Sequence, residues 1–305
     1  MKKIKKLLFI LLILFSITLI GSCVNNNNKE TINNIDYSNS KISFLGPKGT
    51  YSEEACEVYF ENKGTYIAYN TVNEAIDELN SSKVDYAVVP VENTIGGITD
   101  YLDLVLTNEK LYVVGEVELT INQNLLTIND SNLSDIKTIY SHKQGILQSK
   151  EWINKNIPNA EIIEVSSTAE GAKLVSEKND KSVAAIASTG AAKVYNLKIL
   201  SKNIQENDNN KTRFYVLSKE KEDISSDRLA FVAKGNASDL STLMSNIKSN
   251  NKKIITLHDK PLKTTLGEYK YLIELENCNY DEYLKITNKE KFDFRFLGTF
   301  NIKQS

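Results

Sequence analysis

Four short polar stretches carry groups that can hold an anion, donate a hydrogen bond or grip a carboxylate. The first is Gly46-Pro47-Lys48-Gly49-Thr50-Tyr51-Ser52. Glycines there let the backbone approach a ligand, and the start of a following helix offers free N–H groups to an anion. A plain glycine-rich turn with Ser52 as helix cap explains the same residues without a ligand. The second stretch is Val89-Pro90-Val91-Glu92-Asn93-Thr94, followed by Gly96-Gly97, at the end of an apolar run. Loops at the carboxyl ends of parallel strands are where α/β folds bind ligands. The third is Tyr140-Ser141-His142-Lys143-Gln144-Gly145 with Gln148 one turn on, and the fourth is Asn210-Lys211-Thr212-Arg213-Phe214. Arg213 has a planar fork that suits a carboxylate of a ligand, or equally a structural salt bridge. His142 could donate a proton, but a His beside a strand end also serves as a satisfied structural group, and no catalytic role is assigned to it.

The elements between these stretches alternate. Ile42–Leu45 reads as a strand and Ser52 to about Asn62 as a helix. Thr71–Ser81 is helical, with Val72, Ala75, Ile76 and Leu79 at spacings of three and four, and Tyr86–Pro90 is a buried strand. A second block repeats the pattern. Leu125–Thr127, Thr138–Tyr140, Glu161–Val165, Val183–Ala187 and Phe214–Leu217 are strands, and Ile146–Asn156 and Thr168–Glu177 are helices. Strands alternating with helices of this length indicate an α/β fold with mostly parallel sheets. After a charged linker, Lys219–Asp227, the segment from Arg228 to about Lys303 follows β-α-β-β-α-β, a ferredoxin-like order.

Composition narrows the function classes. The chain has 305 residues, 41% hydrophobic and 25% charged, with a formal net charge of −2. That balance suits a globular protein with a real core and lacks the basic excess of a nucleic-acid binder. Two His exclude a His-rich metal site. Cys56 and Cys278 lie far apart in sequence and read as buried free thiols. At the N-terminus, Lys2, Lys3, Lys5 and Lys6 precede an apolar run from Leu7 to Ile20, then Gly21, Ser22 and Cys23. A charged start, a short apolar core and small residues describe a secretory signal. The run is short for a membrane span, which needs roughly 20 residues, though an uncleaved anchor helix remains the alternative. Residues 24–40, rich in Asn, cannot bury enough surface to fold and read as a flexible tether.

Taken together the stretches resemble the prephenate dehydratase family: GP-x-GT-x-S, P-[IV]-EN-[ST], SH-x-Q and N-x-TRF, in this order. Ser167–Ala172 (STAEGA) and Ala184–Thr189 (AAIAST) match the intervening pattern. The resemblance covers about residues 42–218, with an ACT-like regulatory domain at 228–303. It implies an α/β catalytic region of two lobes, similar to periplasmic binding proteins, over 41–218. Lobe 1 would take about 41–117 and 207–218, lobe 2 about 118–206, with the active site between them. It implies prephenate as substrate, phenylpyruvate as product, no cofactor and no metal. Thr212 would be the catalytic hydroxyl, assisting departure of the ring OH. Thr50, Ser52, Glu92, Asn93, Ser141, Gln148, Arg213 and Phe214 would bind substrate. Ile20-Gly21-Ser22-Cys23 resembles a bacterial lipobox, which implies removal of residues 1–23, acylation of Cys23 and a membrane-anchored protein outside the cytoplasm. A homodimer or higher homo-oligomer is expected, and no nucleic acid.

Two departures qualify the resemblance. Family members are expected in the cytoplasm, whereas this chain carries an export signal. Where phenylalanine-sensing members have Gly-Ala-Leu-Val and Glu-Ser-Arg-Pro, this chain has Ser238-Asp239-Leu240-Ser241 and His258-Asp259-Lys260-Pro261. Phenylalanine feedback is therefore not expected. The competing function is a lipid-anchored solute-binding module that captures an aromatic or dicarboxylic ligand without turnover.

Overall fold

The computed structural model describes residues 35–222, 226–288 and 291–305. The signal segment, Cys23 and most of the tether lie outside the described residues. Among those described, no helix is long and apolar enough to cross a membrane.

The chain opens with β1 (Lys41–Leu45), α1 (Tyr51–Phe60), β2 (Thr65–Tyr69), α2 (Val72–Asn80), β3 (Tyr86–Asn93), β4 (Gly97–Ile98), α3 (Tyr101–Thr107) and β5 (Tyr112–Thr120). It then builds a second sheet from β6 (Asn124–Thr127), β7 (Thr138–Ser141), β8 (Glu161–Glu164), β9 (Val183–Ala187) and β10 (Lys198–Ser201). The helices of that block are α4 (Lys143–Gln148), α5 (Lys150–Asn156), α6 (Thr168–Lys178) and α7 (Thr189–Val194). The return strand β11 (Lys211–Ser218) joins the first sheet, so the chain crosses between sheets after β5 and comes back at β11.

Both sheets are mixed rather than mostly parallel. In the first, β1 pairs in parallel with β2 and β3, but β11 runs antiparallel to β3 and to β5. The reason is the path: β5 carries the chain out and β11 carries it back alongside. In the second, β7 pairs in parallel with β8 and β9, while β6 is antiparallel to β9 and β10. The expected helix over 146–156 is two helices broken at the buried Ser149. Glu206 occupies the break: its N–H donates to Gln148 O at 2.8 Å and its carboxylate accepts from Glu151 N at 2.7 Å.

The C-terminal segment forms β12 (Arg228–Asn236), α8 (Leu240–Ser249), β13 (Lys253–Pro261), β14 (Glu268–Glu276), α9 (Tyr280–Thr287) and β15 (Asp293–Phe300), in an antiparallel sheet ordered β13-β14-β12-β15. Alternate side chains of a strand point to opposite faces, and β12 uses both. Leu229, Phe231 and Ala233 pack with Leu243, Ile247, Tyr283 and Ile286 of the two helices. Ala230 and Val232 face the other way, into the core that holds Leu106, Leu111 and Val113 of the first sheet region. The approach is close: a Cβ on Gly298, whose φ is +156°, would lie 2.0 Å from Val113 O. The last strand, β16 (Ile302–Gln304), leaves this domain and pairs in parallel with β5 at the edge of the first sheet. Sequence patterning assigned those residues to the C-terminal domain. Cys56 and Cys278 are buried free thiols, and burial raises both above the usual thiol range.

Candidate active site

A cleft of about 690 Å³ lies between the first and second sheets, lined by loops from both and by the start of β11. Its centre is the pair Thr212 and Asn93, which face each other across the β11–β3 ladder. Asn93 Oδ1 accepts from the N–H groups of Ile95 (3.0 Å) and Gly96 (2.8 Å), bonds only an oxygen can make, so the amide orientation is set. Asn93 Nδ2 then donates to Thr212 Oγ1 at 2.9 Å and to Asn210 Oδ1 at 2.9 Å. With its oxygen accepting from Asn93, the Thr212 hydroxyl keeps its own proton for a partner in the cleft. Phe214, two residues on and therefore on the same face of β11, forms apolar wall and reaches into the core beneath.

The glycine-rich loop forms the first-lobe rim. Thr50 occupies the N-cap of α1, yet its hydroxyl donates to Leu45 O at 3.0 Å and caps nothing. The second lobe grips this loop from outside the cleft. Ser188 Oγ donates to Gly49 O at 3.0 Å and Tyr195 OH to Lys48 O at 2.9 Å. Gly49 has φ +83°, and a Cβ there would sit 2.9 Å from Ala191 Cα, so the position requires glycine twice over. Tyr51 OH adds a third tie, to Asn122 O at 2.8 Å.

On the second-lobe side, Gln123 Nε2 donates to Gln148 Oε1 at 3.0 Å, leaving the Gln148 amide nitrogen to face the cleft. The start of α6 points inward: Ser167 caps it by accepting from Glu170 N at 3.0 Å, and Ser166 to Thr168 line the cavity. Lys173, one turn along, is the only Lys or Arg among the described lining residues, loosely paired with Glu170 at 3.8 Å and Glu177 at 3.9 Å. His142 lines the cleft, but its Nδ1 accepts from Gln144 N at 3.3 Å as a helix cap. Among the described residues no group of three or more His, Cys, Asp or Glu is placed to hold a metal ion.

Of the residues singled out from sequence, Thr50, Ser52, Asn93, Gln148, Thr212 and Phe214 line the cleft. Three do not. Ser141 is wholly buried at the end of β7 and donates to Ile186 O at 2.7 Å, a strand-to-strand tie. Glu92 and Arg213 turn to the opposite face of the sheet, where Glu92 Oε2 accepts from Arg213 Nη1 at 2.7 Å. The Arg213 fork meets Glu116 instead of the cleft, with Nε to Oε1 at 2.9 Å and Nη2 to Oε2 at 2.7 Å. Strand alternation is the physical reason: Thr212 and Arg213 are consecutive, so one side chain must face away from the other. Gln123 and Lys173 were missed. Lys173 directly follows the Ser167–Ala172 stretch, and helical spacing from Glu170 was the signal available; Gln123 had none.

Comparisons with known proteins point to one family. The family model described as Prephenate dehydratase matches residues 42–222. The bifunctional chorismate mutase/prephenate dehydratase of Neisseria gonorrhoeae is 35% identical, over 80% of this chain and 68% of that protein. The prephenate dehydratase of Lactococcus lactis subsp. cremoris is 33% identical, over 81% of this chain and 90% of that one. Among solved structures, prephenate dehydratase from Arthrobacter aurescens in complex with L-Phe superposes with a TM-score of 0.75 at 27% identity, covering 86% of this chain and 90% of its own. The chain belongs to the prephenate dehydratase family.

Proposed function

We propose that this cleft converts prephenate to phenylpyruvate, with Thr212 as the group that assists the leaving hydroxyl. Prephenate carries a carboxylate and a hydroxyl at opposite positions of a cyclohexadiene ring. The C–C bond to the ring carboxylate breaks and CO₂ departs. Its electron pair becomes part of the aromatic ring as the C–O bond at the far position breaks and hydroxide leaves. Aromaticity drives the step, and no redox equivalent is consumed. The observation that carries the reading is the bond from Asn93 Nδ2 to Thr212 Oγ1 at the wall of the cleft, which uses the oxygen as acceptor and leaves the hydroxyl free to donate. A threonine hydroxyl is a poor acid, but a positioned hydrogen bond strengthens as negative charge builds on the departing oxygen.

Substrate carboxylates then fall to the second-lobe side, to Lys173 and the N–H groups at the start of α6, where the helix dipole favours anions. Gln148 supplies a neutral donor, and Phe214 an apolar surface for the ring. The finer readings belong to the same proposal. The β-α-β-β-α-β order supports an ACT-type regulatory domain and assembly of a homodimer through it. The Lys-rich start, apolar run and Cys23 support a lipid-anchored protein outside the cytoplasm.

Purified protein lacking residues 1–23 should release phenylpyruvate from prephenate, followed by its alkaline absorbance. Protein that binds prephenate and returns it unchanged would establish the solute-binding alternative. Cells fed a labelled fatty acid should mark the wild-type chain and not Cys23→Ser; label on both, or on neither, removes the lipid anchor.

A further inference from the structure

Behind the cleft, one residue away from the Thr212–Asn93 pair, lies a buried ionic cluster that joins the catalytic sheet to the C-terminal domain. Thr212 pairs with Asn93 across the ladder and Arg213 pairs with Glu92, so the front pair and the back pair share the same two backbone segments. On the back, Arg213 is held by Glu92 from β3 and Glu116 from β5, and its Nη2 also reaches both carboxylate oxygens of Glu274 at 2.8 Å. Glu274 comes from β14, in the C-terminal domain. It is fully buried, accepts from Thr256 Oγ1 at 2.5 Å and from the Tyr215 hydroxyl, and lies 3.4 Å from Arg228. In β14 its neighbours Ile273 and Leu275 face the helices, so Glu274 is turned toward the catalytic sheet by strand alternation.

Adhesion alone does not call for this carboxylate. Ala230, Val232, Leu272 and Leu297 already pack against Leu106, Leu111 and Val113. A charge in that interface loses its hydration, and well-packed apolar residues hold such an interface as well or better. What the carboxylate adds is direction. It fixes a guanidinium whose Cα is bonded through one peptide to that of Thr212, in a site where the hydroxyl must aim at one departing oxygen.

We propose that Glu274 is a positioning residue for the reaction, holding Arg213 and through it the aim of the Thr212 hydroxyl, so that the C-terminal domain is a working part of the cleft. The inference rests on the reading of Thr212 as the group at the leaving hydroxyl. Any ligand or contact that shifts β14 then changes turnover without entering the cleft.

The test is a kinetic cycle on the chain lacking residues 1–23, with prephenate as substrate. Glu274→Gln keeps the shape and removes the charge. It should lower kcat by at least ~10-fold with KM within about twofold, the mark of an interaction felt in the transition state. Glu276→Gln, the same change two residues along β14 at a half-exposed pair with Lys253, should leave both constants alone. In a Thr212→Ala background, Glu274→Gln should cost nothing further, because a residue that acts through Thr212 has nothing left to position. An unchanged kcat in Glu274→Gln, or a loss that multiplies with that of Thr212→Ala, overturns the proposal. An unchanged kcat in Thr212→Ala alone removes the Thr212 reading as well, which separates the two failures. Should Glu274→Gln not fold, Glu274→Asp keeps the charge and shortens its reach. A kcat loss there that vanishes in the Thr212→Ala background supports the proposal, and a multiplicative or absent loss sinks it.

Discussion

The two faces of β11 do different work with adjacent residues. On the cleft face, Thr212 and Phe214 meet an open cavity, and Thr212 has a single described partner, Asn93. On the back face, Arg213 and Tyr215 are packed against the C-terminal domain and bonded to carboxylates from three strands. A three-residue motif, Thr-Arg-Phe, thus lines the cleft with its first and third residues and ties the sheet to the C-terminal domain with its second. Residue type alone does not separate these roles: Arg213 has the fork of a carboxylate receptor, and it does receive carboxylates, but the protein's own.

This comparison is sharpest where the two faces should respond differently to substitution. The largest effect is expected on the back. Arg213→Met leaves Glu116 and Glu274, both without exposed side-chain surface, lacking their main cation, and breaking a buried pair in this way costs about 3–5 kcal/mol. Thermal or urea unfolding measures it. The loss should depend on pH. Burial already pushes the Glu116 carboxyl up from its ordinary value, and removing Arg213 removes the bonds that oppose the shift. A carboxyl raised in the folded state favours folding while protonated and loses that contribution as pH rises through its folded pKa. The variant should therefore be less impaired at pH 5 than at pH 8; an equal deficit at both would place the cost elsewhere.

On the cleft face, Thr212→Ala should lower kcat at least ~10²-fold, roughly 2.7 kcal/mol, with KM and melting temperature little changed. If its stability fell instead, the cleft face too would carry part of the fold's stability. Lys173→Gln should act through binding, raising KM several-fold while kcat holds, since a half-exposed cation contributes to an anion's affinity more than to the chemistry. An unaltered KM would hand the carboxylates to the helix N–H groups alone.

The smallest response is expected from phenylalanine. Asp239, which the sequence reading set against an Ala of phenylalanine-sensing members, lies in a short turn leading into α8, and its carboxylate is 3.6 Å from Lys291. The charge is thus paired rather than isolated, but it still occupies the loop. Millimolar phenylalanine should neither inhibit nor raise the melting temperature. Saturation at 100 times Kd would add roughly 2.7 kcal/mol and be plain in a thermal shift.

Much of the fold was legible because local patterning sets it. The spacing of Val72, Ala75, Ile76 and Leu79 makes α2 amphipathic in any context, and the structure buries those four. The C-terminal order of elements followed from runs of the right length with turns between them. The break at Ser149 was not legible, because it is made by Glu206 arriving from another part of the chain. Nor was β16, whose partner β5 lies far back in sequence.

The same division holds in the site. Sequence by itself determined which polar groups exist and that they sit near strand ends and helix starts. That β11 begins at Lys211, so that Thr212 and Phe214 share a face and Arg213 takes the other, came from the structure. Tertiary structure decided which face meets the cleft. It also decided that Arg213 spends its charge on Glu274, 61 positions away, and that Lys173 is the one Lys or Arg among the described residues lining the cleft. Those outcomes depend on which surfaces pack together, and packing is settled by the burial of whole faces rather than by any one residue's chemistry.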